Sequence, residues 1–201
     1  YTSILHNGTD TNYILASGKN SYKKFNKIKE YKNKVYLVGS NRISERKKFK
    51  IKKINKKIVH NCLVMAEGIE EENEILFNFC KLYLKKFNNL NFIIRLHPLL
   101  IHKKEFYKSF FKDFPNKVHF SNNKNPKDDF NKCSIALYRG TSLIFDAIRF
   151  GIIPFYLKIK GEIDFDPLSM EENNENQKIT SVSELKIKLS DKKIFKKRFY
   201  Q

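Results

Sequence analysis

Residues 91–98 read Asn91-Phe92-Ile93-Ile94-Arg95-Leu96-His97-Pro98. A short, almost wholly apolar run ended by proline suits a strand that is covered on both faces. Pro98 has no N–H to give to a sheet ladder, so the strand stops before it. Arg95 and His97 therefore fall at or beyond the strand's carboxyl end.

Working outward, the same pattern recurs. From residue 57 onward, apolar runs of strand length alternate with helical patterns, which predicts βαβ units in a Rossmann-like, mostly parallel sheet flanked by helices. The spacing predicts strands over 58–65, 91–96, 117–120, 134–138 and 152–156. Helices are predicted over 70–87, 105–114 and 141–150. The first of these carries Ile75, Phe79, Leu82 and Phe87 at helical spacing, with acids at its start and lysines at its end, as the helix dipole favours. Residues 171–177 read as a loop, and Ser181-Val182-Ser183-Glu184 has the form of a helix cap.

Residues 1–56 are expected to form a separate segment. It should hold a strand at about 1–6, a polar turn at Asn7-Gly8-Thr9-Asp10, a lysine-rich stretch able to be helical, and a strand over 35–38 closed by Gly39-Ser40-Asn41-Arg42. Residues 46–57 read as a basic, solvated connector. The chain opens on Tyr1 within a run that looks like a core strand, so it is expected to be part of a longer protein. At 201 residues it suits one well-buried α/β domain with attached elements.

The formal net charge of +19 raises nucleic acid as a partner. Only six of the 40 basic residues are arginine, however, and the lysines are scattered among Asn, Ile and Phe, as AT-rich coding would produce. Net charge speaks to non-specific association rather than to fold. A nucleic-acid- or membrane-binding module driven by lysine stays open as a rival, and peripheral contact with an anionic membrane is the milder form. Cys62, Cys80 and Cys133 fit neither a disulfide framework nor a zinc site, and reduced thiols of a cytoplasmic protein are the simplest account. No His, Cys, Asp or Glu cluster has metal-ligand spacing, so no metal is expected.

In an open parallel sheet, ligands gather outside the carboxyl ends of the strands. Polar residues collect there: Glu67-Gly68, His97-Pro98, and Arg139-Gly140-Thr141-Ser142. His97 can donate to a phosphate, with Pro98 fixing the backbone that aims it, or it can satisfy a local carbonyl. Gly140, Thr141 and Ser142 read as a helix start with free N–H groups and hydroxyls for an anion, or as an ordinary cap. Glu67 suits a general base if its surroundings raise its pKa, or is simply an acid ahead of a helix. Asp146, one turn after Ser142, faces that pocket or solvent. Arg139 reaches an anionic ligand or pairs with Asp146.

Taken together, Glu67-Gly68, Arg95-x-His97-Pro98, Gly140-Thr141-Ser142 and Gly151-Ile152-Ile153-Pro154 resemble the C-terminal, donor-binding half of GT-B glycosyltransferases. More narrowly, the series resembles bacterial sialyltransferases and polysialyltransferases, and the related CDP-glycerol glycerophosphotransferases of teichoic-acid-like polymers. His6-Asn7-Gly8 and Gly39-Ser40-Asn41-Arg42 are similar to landmarks around the interdomain crossover of such enzymes. The likeness implies that residues 1–56 end an N-terminal half and that 57–201 bind a nucleotide sugar. It places Arg95, His97, Pro98, Gly140, Thr141, Ser142 and Asp146 at the donor's nucleotide and phosphate, with Glu67 in the general-base motif. His6, Gly8 and Arg42 would lie on the interdomain or acceptor side. Ala66 stands where the family's first motif acid would be. The implied activity is metal-independent transfer of a sugar, sialic acid from a CMP donor, to a glycan or glycolipid acceptor of a bacterial surface polysaccharide or lipooligosaccharide. No cofactor besides the donor substrate is implied. The expected location is the cytoplasm, at the inner face of the membrane.

Overall fold

The computed structural model describes residues 12–39, 61–163, 165–169 and 177–191. The expectations for the strand at 1–6, the turn at 7–10, His6, Gly8, Arg42, the connector at 46–57 and most of the loop at 171–177 lie outside these residues. The chain divides into two compact units between residues 48 and 49.

The first unit is a βαβ element. Strand β1 (Ile14–Ala16) leads through helix α1 (Lys19–Asn26) and a short 3-10 turn (Lys29–Tyr31) to β2 (Val35–Leu37). The two strands pair in parallel, with Ile14 opposite Val35. Strand β1 was absent from the expected elements because three residues ended by Ser17-Gly18 leave no alternation to read. Among the described residues of this unit, Ala16 of β1 and Val35 of β2 are buried.

The second unit is a six-stranded, wholly parallel sheet. Its strands are β3 (Asn61–Met65), β4 (Asn91–Arg95), β5 (Val118–Phe120), β6 (Ile135–Tyr138), β7 (Ile153–Leu157) and β8 (Lys178–Ile179). They lie side by side in the order β5-β4-β3-β6-β7-β8, each parallel to its neighbours. This is the doubly wound arrangement, in which the chain runs outward from β3 to one edge and returns to lay β6 on its other side. The predicted sheet is thus present, with β8 as an added edge strand too short to read from sequence.

Two hydrophobic clusters cover the sheet. Cys62, Val64 and Ala66 join Leu76, Phe77, Cys80 and Tyr83 of α2 (Glu70–Lys86) on one face. Leu63 and Met65 join Ile144, Ala147 and Ile148 of α5 (Ile144–Arg149) on the other. Side chains alternate across a strand, so β3 has to be apolar at every inner position to serve both layers. All three cysteines are buried and free, and burial pushes their thiols above the ordinary range.

The helix expected over 105–114 is shorter than that. A 3-10 helix at Pro98–Lys103 precedes α3 (Lys104–Ser109), and turns follow it. Helix α4 (Pro126–Phe130) was missed, although its signal is present: Pro126 occupies the first turn, and Asn125 Oδ1 accepts from the Lys127 N–H at 3.0 Å. Helix α6 (Val182–Ser190) has the predicted cap, Ser181 Oγ accepting from the Glu184 N–H, while the Glu184 carboxylate accepts from the Thr180 N–H.

Asp129 on α4 is fully buried. It accepts from Arg95 Nη1 at 2.7 Å, from Ser121 Oγ at 2.8 Å and from Asn123 Nδ2 at 2.6 Å. The loop after β5 is folded around this carboxylate. Asp129→Ala leaves Arg95 without its counter-charge and is expected to cost about 3–5 kcal/mol, read as a lowered urea midpoint with unchanged slope.

Candidate functional site

Strands β4, β3 and β6 are neighbours, so the turns at their carboxyl ends come together. The turn after β3 carries Glu67 and Gly68. Its backbone is clamped by Asn73, fully buried in the first turns of α2: the Glu67 N–H donates to Asn73 Oδ1 at 2.7 Å, and Asn73 Nδ2 donates to the Glu67 carbonyl at 2.9 Å. One amide side chain thus satisfies both peptide groups of Glu67.

The Glu67 carboxylate crosses to the next strand, where Oε1 accepts from the Gly140 N–H at 2.6 Å. Burial raises its proton affinity above the ordinary carboxylate value. The Gly140 and Thr141 N–H groups and the charge of His97 oppose this, Glu72 adds to it, and the net shift is upward. An added Cβ on Gly140 would lie 3.6 Å from Oε1, in ordinary contact. Gly140 is therefore set against the carboxylate by its N–H rather than by lack of a side chain.

Gly140-Thr141-Ser142 does not open a helix as expected. Helix α5 begins at Ile144, with Leu143 before it, and the Thr141 and Ser142 carbonyls accept from the Ile144 and Phe145 N–H groups. Thr141 Oγ1 accepts from the Leu143 N–H at 3.3 Å. The tripeptide is a turn, and its first N–H holds an internal carboxylate. A six-residue helix starting beyond it supplies little of the expected dipole.

His97 follows β4 and caps the 3-10 helix. Its Nδ1 accepts from the Leu99 N–H at 3.3 Å, and Pro98 takes the first helical position. A nitrogen that accepts carries no proton, so in the neutral ring the proton sits on Nε2. An added Cβ on Gly68 would lie 3.3 Å from His97 Nδ1 and 3.4 Å from Cε1, so the missing side chain there makes room for the ring. Glu67, Gly68, His97, Gly140 and Thr141 thus form one contiguous group.

Three other residues stand apart from it. Arg95, expected at a phosphate, gives its guanidinium to Asp129 and to the carbonyls of Asn123 and Lys124. Asp146 pairs at 3.1 Å with Arg149 on its own half-exposed helix surface. Arg139 reaches neither a ligand cleft nor Asp146. It is buried, at 2% exposure, and donates to Glu72, to Glu162 and to the Leu157 carbonyl. Asn73 is the residue that sequence reasoning missed; a polar amide four positions into an otherwise acidic helix start was its only signal. Among the described residues, no three His, Cys, Asp or Glu side chains are grouped to hold a metal, and no helix is long and apolar enough to cross a membrane.

No family model matches the chain, and no curated protein matches it in sequence. Solved structures do match. A protein of Listeria monocytogenes assigned as a UDP-N-acetylglucosamine 2-epimerase superposes with a TM-score of 0.61 at 13% identity, over 94% of this chain and 53% of that one. The Methanocaldococcus jannaschii UDP-GlcNAc 2-epimerase, solved with UDP-GlcNAc and UDP, gives 0.58 at 13% identity, over 90% and 55%. The wall teichoic acid polymerase TagF gives 0.52 at 14%, over 92% and 50%. The chain spans about half the length of these proteins. At such identities the likeness is one of fold, that of a Rossmann-like GT-B domain.

A raised Glu67 pKa in the folded state makes that state hold the proton more tightly. Stability is then lost as pH rises from the ordinary 4.5 through the raised value. Glu67→Gln keeps an oxygen for the Gly140 N–H but cannot ionise. Thermal melts should show it more stable than the parent at about pH 7.5 and no different at about pH 4; equal melting temperatures throughout would contradict the upward shift.

Proposed function

We propose that this chain is the donor-binding half of a glycosyltransferase that builds a bacterial surface glycan at the cytoplasmic face of the membrane, with a CMP-linked sugar such as sialic acid as donor. The observation that carries the reading is the meeting of Glu67, His97 and the Gly140-Thr141 turn at adjacent strand ends, where doubly wound sheets bind nucleotides. Fold likeness to TagF and to enzymes of UDP-GlcNAc agrees with a nucleotide-activated substrate.

The geometry divides the work. Glu67, half-buried with its pKa raised, takes the proton from an acceptor hydroxyl. That oxygen forms the new bond to the anomeric carbon as the bond from carbon to the phosphate oxygen breaks, and the electron pair leaves with the phosphate. His97 donates to that phosphate from Nε2, the nitrogen left with its proton by the Leu99 contact. Thr141 accepts at its oxygen from Leu143 and keeps its hydroxyl proton for the same phosphate. The transfer is metal-independent in this scheme, because the leaving charge is met by the imidazole and hydroxyls. Ser142 lies exposed beside Thr141 and extends the same turn.

A second reading shares the site. In a CDP-glycerol-type glycerophosphotransferase the acceptor attacks phosphorus and CMP leaves; the fold likeness to TagF, a wall teichoic acid polymerase, is compatible with that reading. A lysine-driven nucleic-acid or membrane module is the rival of another class.

CMP, but not UDP or GDP, should raise the melting temperature of the chain; stabilisation by UDP or GDP alone would overturn the cytidine assignment. In the full-length enzyme, His97→Ala should lower turnover about 10²–10⁴-fold without unfolding, and Thr141→Ala should weaken donor binding. Product analysis with CMP-sialic acid against CDP-glycerol separates the two transfers. Binding to RNA or anionic vesicles that is steep in salt and indifferent to both substitutions would favour the rival.

A further inference from the structure

Arg139 is the largest fully buried side chain among the described residues, yet it belongs neither to the apolar core nor to the group around Glu67. It follows β6 directly and precedes Gly140, whose N–H meets the Glu67 carboxylate. Its guanidinium joins three further segments. Nε donates to Glu72 in the first turn of α2, Nη2 donates to Glu162 at 2.5 Å in the loop after β7, and Nη1 donates to the Leu157 carbonyl at 3.0 Å at the end of β7. Burial works against its charge, and the two carboxylates more than offset this, holding it above the ordinary arginine value.

A buried cation facing two acids is a weak source of stability, because desolvation consumes much of the attraction. Its directional content is high, since a planar fork with five N–H donors fixes several partners at once, which an ammonium group cannot do. The partners here sit on both sides of the turn that carries Gly140 and Thr141. We propose that Arg139 is a positioning residue, setting the Gly140 and Thr141 N–H groups against the Glu67 carboxylate by anchoring their turn to α2, to β7 and to the loop beyond it. The assignment rests on the reading of Glu67 as the base; the readout below needs no turnover, so either can fail without the other.

The groups that face Glu67 are the Gly140 and Thr141 N–H donors from the turn after β6, Glu72 from α2 and His97 from the turn after β4. Arg139→Lys keeps the charge that balances Glu72 but loses the fork. Amide hydrogen exchange on the chain should then rise about tenfold or more at Gly140 and Thr141 while the amides of β3 and β4 keep their rates. A carboxyl ¹³C titration of Glu67 should move upward, because the two donors that lower it are loosened. Glu162→Gln, at a partly exposed position, should give the same changes at smaller size, and it keeps the proposal testable if Arg139→Lys fails to fold. Unchanged exchange and titration in both variants would overturn it. So would a uniform rise across all sheet amides, which marks a core support only.

Discussion

The contact on which the rest depends is the one between the Glu67 carboxylate and the Gly140 N–H. It bridges β3 and β6, the two strands between which the chain reverses its direction of travel across the sheet. Strand ends at such a reversal are splayed by their connections, which leave to opposite faces, so a crevice opens there with nothing local to close it. Here the Glu67 carboxylate spans the two strand ends and accepts from the backbone N–H groups of Gly140 and Thr141. Glu67 is in turn fixed by Asn73, and Gly140 by the buried arginine beside it.

Much of the fold was legible in the sequence. The apolar runs at 61–65, 135–138 and 153–157 are covered on both faces, while 91–95 alternates buried and half-buried residues; all four could be read because they are of strand length and stop at polar or turn-forming residues. Helix α2 could be read because seventeen residues carry a full set of signals, acids at one end and lysines at the other. The short pieces could not. Strands β1 and β8 and helix α4 are two to five residues long, and they owe their form to neighbours rather than to their own pattern.

The site was legible as a location and less so as a set of roles. Sequence places a charged residue at a strand end but does not say which way it turns. Arg95 looked like a phosphate ligand, and Arg139 like a partner of either an anionic ligand or Asp146; each is instead consumed by carboxylates more than twenty residues away, Asp129 for one and Glu72 and Glu162 for the other. The reading of Gly140-Thr141-Ser142 as a helix start failed for a related reason. Its donors had a protein acceptor within reach, and Thr141 Oγ1 was drawn into the turn by the Leu143 N–H.

His97 carries a consequence for binding thermodynamics. Its ring is oriented by the Leu99 N–H at Nδ1, and the side chain that Gly68 lacks leaves room for that same edge of the ring. Turning the ring over would exchange Nδ1 for a carbon and forfeit that bond, so both its orientation and its tautomer are settled when the chain folds. A ligand then meets a donor whose rotational entropy is already gone. The same arrangement makes the ring a poor relay, since a proton cannot pass from one nitrogen to the other without breaking the cap that holds it.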